Sequence, residues 1–439
     1  MWHDNCGVFG IYSSRNCVND LWYGIFHLQH RGQTYCGIST FDHEVKFRTR
    51  KGLIKEALTD EDLKDLEGNF GIAHVSLRDR QPIYMDSKAG RFTIAFSGNI
   101  INSKDLFKSM KAKGISFSSD TDIELIAKLV GEGKDIPDGI ERMSRQIKGS
   151  FSLVLLTQDG IYAARDPYAF KPLVLGKSED AYAVASESCS LSSLGMAIIR
   201  DIEAGEILFI GKDGRKTVKK LPSKRKAHCA FEWAYFARLD SIIDGVPVKR
   251  VRDKLGAKLA KKDRWANIKA DIACPVPFSG IGHALGYHHE SGIPYEDVFL
   301  YNRYSDRSYT PLKQSDRERI AKEKLTVIKE STESRRVVLC DDSIVRGTQI
   351  RNEVKKLKLA GAREVHLRVA SPPLVAPCKY GVSTRTYKEL IATKHNIDEI
   401  CEIIGADTLQ YNTLDDFVEA ISLPREDLCL ACWTGEYPV

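Results

Sequence analysis

The sequence predicts a layered α+β domain followed by an α/β domain built on a parallel sheet, and three observations carry that prediction. The first half is dense in short β-like runs separated by polar turns, with amphipathic helical stretches between them. The second half alternates apolar strands with helix-like segments. Between the halves lies a basic tract with few apolar residues, GKDGRKTVKKLPSKRK, residues 211–226. A chain of 439 residues is too long for one compact core, so two domains are the simplest count.

In the first half the β-like runs are residues 6–12, 71–75, 91–96, 151–157, 160–164, 173–176 and 181–185, and residues 122–131 have helical periodicity. The basic tract marks the domain junction, with the first domain expected over 6–220 and the second over 228–439. In the second half, strands at 271–275, 336–339 and 364–368, the last two flanking a helix near 349–360, give strand, helix, strand in order. That order is the signature of a doubly wound parallel sheet, whose ligands sit at the carboxyl ends of the strands. Residues 302–330 are very polar and rich in arginine and lysine. They read either as a solvated connection or as a lid over an anionic substrate.

Composition narrows the function classes. Hydrophobic residues at 43% and charged residues at 28% describe a chain that buries a sizeable interior, and a net charge of +6 from 65 basic and 59 acidic residues is too balanced to imply nucleic acid. No stretch has the apolar length of a membrane span, and the opening MWHDNCGVFG lacks the parts of a secretion signal, so the expected compartment is the cytoplasm. Eleven cysteines, an odd number, argue against a pure disulfide framework and call for a metal, a nucleophilic role or burial.

The most specific signal is RRVVLCDDSIVRGTQ, residues 335–349. An apolar strand runs into Asp341 and Asp342, then a small polar turn of Ser343, Arg346, Gly347 and Thr348, then a helix. Paired carboxylates can accept hydrogen bonds from neighbouring ribose hydroxyls or hold a divalent cation. Backbone N–H groups at a helix start, with the Ser343 and Thr348 hydroxyls, can cup a phosphate, and Gly347 permits close approach. The plain alternative is an acidic pair that caps a helix. The segment resembles the phosphoribosyl pyrophosphate (PRPP) signature of type I phosphoribosyltransferases, in the version carried by the amidophosphoribosyltransferase family. CPVPFSGIGHALGYHHESGIPYED, NRYSDRSY, KRVRDKLG and AYFARLDSIIDG resemble the same family, so the likeness covers nearly all of the chain after His228. It implies that Ser279 joins Asp341 and Asp342 around Mg²⁺, and that Arg303, Arg307 and Lys313 close over the departing pyrophosphate.

Near the amino terminus, CGVFGIY and HLQHRGQTYCGI resemble the opening of the class II, amino-terminal-nucleophile glutamine amidotransferases. The likeness implies an αββα sandwich, removal of residues 1–5 as a propeptide, and Cys6 as the nucleophile with its own α-amino group as base. Arg31, Gly98 and Asp120 are the implied glutamine-site residues, Asp120 binding the α-amino group. Two departures stand out. HVSLRDRQP places Ser76 where the family has an arginine that grips the α-carboxylate, leaving Arg78 or Arg80 to replace it, and FSGN places Ser97 at an oxyanion-hole asparagine.

Cys429 and Cys432 close the chain in a C-x-x-C arrangement, which by itself suits zinc, a redox pair or an iron–sulfur cluster. With Cys229 and Cys378 they match the cluster cysteines of the family's iron–sulfur branch, which implies a structural [4Fe-4S] cluster. The expected activity is formation of 5-phosphoribosylamine, glutamate and pyrophosphate from PRPP, glutamine and water, the first step of purine biosynthesis. The family likeness further implies purine nucleotide inhibitors and a homotetramer. The other two readings are an ammonia-dependent enzyme with a degraded glutaminase and a PRPP-sensing regulator without chemistry.

Overall fold

The computed structural model describes residues 6–223, 225–301, 325–381, 384 and 386–439. Period-two alternation in the first half builds two stacked antiparallel sheets. In strand Gly7–Ser13, Phe9 and Ile11 face the helix Val18–Phe26, while Val8 points the other way, into the core between the sheets. The seven-stranded sheet has this strand at its centre, flanked by Ala181–Ala185 on one side and Phe70–Ser76 on the other. The six-stranded sheet is centred on Gly160–Arg165 and Gly149–Thr157, with Gly90–Ile100 beside the latter. Ala95, Val154, Leu156 and Ile161 fill the space between the sheets, and Asp122–Gly131 with Ile136–Gln146 cover the outer face of the second. The layering is helix, sheet, sheet, helix, as expected.

Every β-like run of the first half lies wholly or largely within an observed strand. Among the described residues six strands of this half escaped, Tyr35–Asp42, Ile83–Ser87, Ala197–Asp201 and Glu206–Gly211 together with the two largely polar ones, Glu44–Lys51 and Gly214–Lys220. The last of these makes half of the basic tract the edge strand of the six-stranded sheet and ends at residue 220. Lysines there suit an edge, since repelling charges block a neighbouring strand from adding on. The connection proper begins at Leu221 and ends where His228–Cys229 pairs in parallel with Leu428–Cys429.

The second half holds a four-stranded parallel sheet in the order Ile272–Pro275, Arg336–Asp341, Glu364–Val369, Thr408–Tyr411. Both faces are covered, which is why its central strands read as nearly unbroken apolar runs. Val337 and Leu339 pack with Ile350, Val354 and Leu357 of helix Thr348–Leu359, and Val338 and Cys340 pack on the opposite face with Leu259, Ala284 and Tyr287. Helices Val248–Trp265 and Ile281–Ser291 meet at backbone distance: a Cβ on Gly256 would lie 1.9 Å from the His283 carbonyl oxygen, and one on Gly286 would lie 2.0 Å from that of Asp253. That contact fixes Arg252, on the first helix, relative to the loop before the second. Among the described residues no helix is long and apolar enough to cross a membrane.

Candidate active sites

Cys6 stands at the head of the central strand Gly7–Ser13, half-buried. Its Sγ lies 3.5 Å from Ser76 Oγ, and its carbonyl oxygen accepts from Ser97 Oγ at 2.7 Å and from Arg31 Nε at 3.4 Å. Burial pushes the thiol pKa up, Asp79 adds to the rise, and the Ser76 hydrogen bond and the Arg78 charge oppose it. The Ser97 hydroxyl is therefore spent on the Cys6 carbonyl rather than held out to a bound oxyanion. Ser76 organises the short loop after its strand, because its Oγ accepts from the backbone N–H of Arg78 at 2.9 Å and of Asp79 at 3.1 Å.

Arg78 lies on this loop with the carboxylates of Asp79 and Asp122 near it. Its guanidinium is 3.4 Å from Asn99 Oδ1 and 3.9 Å from Asp122 Oδ2. Burial pushes the Asp79 pKa up to about 6, Arg78 opposing and the Asp122 and Asp120 charges adding. Asp120 is exposed just before helix Asp122–Gly131. Glu124 holds the approach to it, accepting hydrogen bonds from the backbone N–H and the hydroxyl of both Ser118 and Ser119. Gly98 lies on strand Gly90–Ile100, where a Cβ would come 2.0 Å from the Ser150 carbonyl oxygen.

Arg31 occupies a different place from Arg78. It is 3% exposed, and its guanidinium is shared by Glu187, which accepts from Nη1, and Glu232, which accepts from Nη2 at 2.9 Å. Glu187 also accepts from His30 Nε2 at 2.7 Å, from the Arg238 N–H at 2.9 Å and from Ser241 Oγ at 2.7 Å. Two buried carboxylates thus tie the amino-terminal half to the segment that opens the second half.

At the carboxyl end of strand Arg336–Asp341, the chain turns through Asp341 and Asp342, which are 8% and 5% exposed. The Asp342 N–H donates to Asp341 Oδ1 at 2.9 Å, and Ser343 Oγ donates to Asp342 Oδ1 at 2.5 Å. Burial raises the Asp341 pKa well above the carboxylate range, with the Asp342 charge adding. Asp342 is raised by burial too, against hydrogen bonds from Ser279 and Ser343 and the Arg252 charge. Ser279, from the loop after the neighbouring strand, is thus brought to Asp342. Gly347 precedes helix Thr348–Leu359 at φ +75°, a left-handed conformation that favours glycine. Arg346 is exposed, bonds to Glu389, and shares an open basin with Lys388, Lys394 and His395. Arg303, Arg307 and Lys313 lie outside the described residues.

Sequence reasoning missed Arg252, Glu187 and Glu232. Arg252 had a signal, a cation within the apolar stripe Val248, Val251, Leu255 and Leu259 of its helix, where a charge must find buried partners. The two glutamates had none, since their shared partner is distant in sequence.

Cys229 and Cys429 are aligned by the parallel pairing of their strands. Cys378 faces Cys432 closely enough for a hydrogen bond between the thiols, and Cys229 and Cys429 add to the raising of the Cys432 pKa. The four therefore share one neighbourhood, although among the described residues no group of three or more His, Cys, Asp or Glu stands as a metal-holding set. The Cys378 segment also touches the first half: Asn99 Nδ2 donates to the Lys379 carbonyl and Ser150 Oγ to that of Tyr380, each at 2.8 Å.

Comparison with known proteins places these features in context. Residues 70–193 match the glutamine amidotransferase domain family. The chain is 41% identical to an amidophosphoribosyltransferase of Archaeoglobus fulgidus, covering 99% of this chain and 98% of that one. It is 36% identical to the Bacillus subtilis amidophosphoribosyltransferase, over 99% and 94%. The solved structure of the B. subtilis glutamine PRPP amidotransferase complexed with ADP and GMP superposes with a TM-score of 0.92 at 36% identity, covering 99% of this chain and 97% of that one.

Proposed function

The chain belongs to the amidophosphoribosyltransferase family, and on that premise we propose how its two sites divide the reaction. The protein forms 5-phosphoribosylamine, glutamate and pyrophosphate from PRPP, glutamine and water, the first step of de novo purine biosynthesis. The observation that carries the proposed roles is the buried pair Asp341 and Asp342 at a strand end, opening a turn that Gly347 completes before a helix.

In the amino-terminal domain, residues 6–220, removal of residues 1–5 frees the α-amino group of Cys6. That amine takes the thiol proton, and the sulfur attacks the side-chain amide carbon of glutamine. The amide nitrogen leaves as ammonia after receiving the proton, and water then cleaves the thioester to glutamate. The Gly98 N–H is the oxyanion donor. Arg78 holds the α-carboxylate, which its charge and its place in the field of Cys6 support, and Asp120 holds the α-amino group. Arg31 acts from behind the nucleophile, through the Cys6 carbonyl.

In the second domain, residues 228–439, the carboxylates of Asp341 and Asp342 accept from the ribose hydroxyls, and the turn of Ser343, Arg346, Gly347 and Thr348 cups the 5-phosphate. Ammonia attacks the anomeric carbon as pyrophosphate departs, under Arg303, Arg307 and Lys313. Two buried carboxylates raised by burial and by each other's charge, with a serine hydroxyl beside them, fit a hard cation. Mg²⁺ held by Ser279, Asp341 and Asp342 would supply charge neutralisation for the leaving group.

The four thiols fit a soft-metal group by donor chemistry, and a [4Fe-4S] cluster on Cys229, Cys378, Cys429 and Cys432 would fasten the chain's end to both domains. Purine nucleotides are the proposed regulators, supported by the ADP and GMP of the B. subtilis complex. The proposed assembly is a homotetramer in the cytoplasm.

A nitrogen-donor assay tests the division of labour. Cys6→Ala should lose product formation with glutamine and keep it with ammonium, whereas Asp341→Asn with Asp342→Asn should lose both. Parent enzyme that used ammonium alone would remove the glutaminase half of this reading. A double variant with intact PRPP affinity and turnover would remove the rest.

A further inference from the structure

We propose that Glu232, a residue of the phosphoribosyl half, positions Cys6 of the glutaminase half by holding Arg31 against the Cys6 carbonyl. The inference rests on Cys6 being the nucleophile. Glu232 is 1% exposed and takes the Arg31 guanidinium from two sides, Oε1 accepting from Nη2 at 2.9 Å and Oε2 from Nη1 at 3.1 Å. The remaining donor of that guanidinium, Nε, lies 3.4 Å from the Cys6 carbonyl oxygen. A planar guanidinium cannot turn one N–H without turning the others, so the angle of the Nε–H towards Cys6 is set by the carboxylates that hold the far edge. Glu232 supplies one of them from outside the glutaminase domain.

The turn that carries Glu232 is itself clamped from the other active site. Arg252 donates to the carbonyls of Trp233 at 2.9 Å, Tyr235 at 3.0 Å and Ala237 at 2.7 Å. The charge of the same Arg252 acts on Asp342, in the proposed ribose site. Polar contacts therefore run from Arg252, whose charge reaches Asp342 in one half, through the turn that carries Glu232 to Arg31 and the backbone of the nucleophile in the other. A strut that positions Cys6 and a buried ion pair that merely fastens the halves differ in which activity the loss of Glu232 touches.

Glu232→Gln keeps the shape and removes the charge. Positioning predicts that glutamine-dependent kcat falls at least about tenfold with KM for glutamine little changed, because an effect on the attacking sulfur is felt in the chemical step. Ammonium-dependent turnover of the same preparation stays within about twofold of parent, and Cys6 alkylation by iodoacetamide, followed by mass, slows in step with kcat. Glutamine-dependent kcat within about twofold of parent, or a parallel fall of both activities, overturns the proposal. If Glu232→Gln does not accumulate folded, Glu232→Asp, which retains the charge but is one methylene too short for both contacts, carries the same thresholds. Cys6→Ala, run alongside, separates the failures. Glutamine use surviving in Cys6→Ala sinks the nucleophile assignment, and glutamine use lost in Cys6→Ala but intact in the Glu232 variants sinks this inference alone.

Discussion

Glu187→Gln should destabilise the amino-terminal domain out of proportion to a change of one atom. The side chain is fully buried and joins Arg31, His30, the Arg238 N–H and Ser241 Oγ, so it serves both halves at once. Burial alone would raise its pKa, yet the His30 and Arg31 charges and hydrogen bonds outweigh that and hold it well below the carboxylate range. Removing one partner of a buried ion pair costs about 3–5 kcal/mol, since the other charge stays behind unmatched. At about 2–4 °C per kcal/mol for a domain of this size, Tm falls by roughly 6–20 °C. Because the folded pKa is depressed, the stabilisation is present above the unfolded pKa, near about 4.3, and is lost only as pH falls through the folded value. Calorimetry on parent and variant should find the gap undiminished as pH falls from 8 to 6, narrowing only in acid. A drop smaller than about 2 °C, or a gap that closes between pH 8 and 6, would refute the reasoning.

Other outcomes follow from single side chains. Asp79→Asn removes a charge that raises the Cys6 thiol pKa, so alkylation of Cys6 at pH 7.5 should quicken, with the rate profile displaced to lower pH. Gly347→Ala places a Cβ 3.0 Å from Ile391 Cδ1 at φ +75°, costing about 1–2 kcal/mol in the phosphate turn; KM for PRPP should rise while Cys6 alkylation is unmoved. Protein prepared without air should contain about four iron and four sulfide per chain and absorb broadly in the visible, and Cys432→Ser should lose both; colourless protein holding zinc would favour the other four-thiolate site.

The parts legible in the sequence were those that one local pattern decides. The strands 160–165 and 181–185 and the helix 122–131 announce themselves because their periodicity is short-range and their burial one-sided. The turn after Asp342 was legible because strand, carboxylates, glycine and helix lie within fifteen residues of chain. Edge strands such as Glu44–Lys51 were not, since an edge need not be apolar. Arg31 illustrates a deeper limit. Its motif marked it as belonging to the glutamine site, but its partners come from positions more than 150 residues away, and no local rule could foresee that two buried carboxylates would claim its guanidinium.

The same contacts say something about why the halves are one chain. Arg165, from the first half, meets Asp244, from the second, with Nη1 2.7 Å from Oδ1 and Nη2 2.9 Å from Oδ2, while Asn99 and Ser150 bond the segment after Cys378. A seam built from buried ion pairs is a poor source of net stability, because desolvation cancels most of the attraction. Such pairs do fix geometry, since any sliding strands a charge away from its partner. An enzyme that makes ammonia in one site and consumes it in another has more use for fixed geometry than for adhesion. The readout for fixed geometry is the yield: replacing Arg165 and Asp244 with Leu and Ala should lower the phosphoribosylamine formed per glutamine hydrolysed, beyond whatever Tm is lost because Arg165 also serves the Ala169, Lys171 and Ile202 carbonyls. A matched yield with a large loss of Tm would mean the seam is glue.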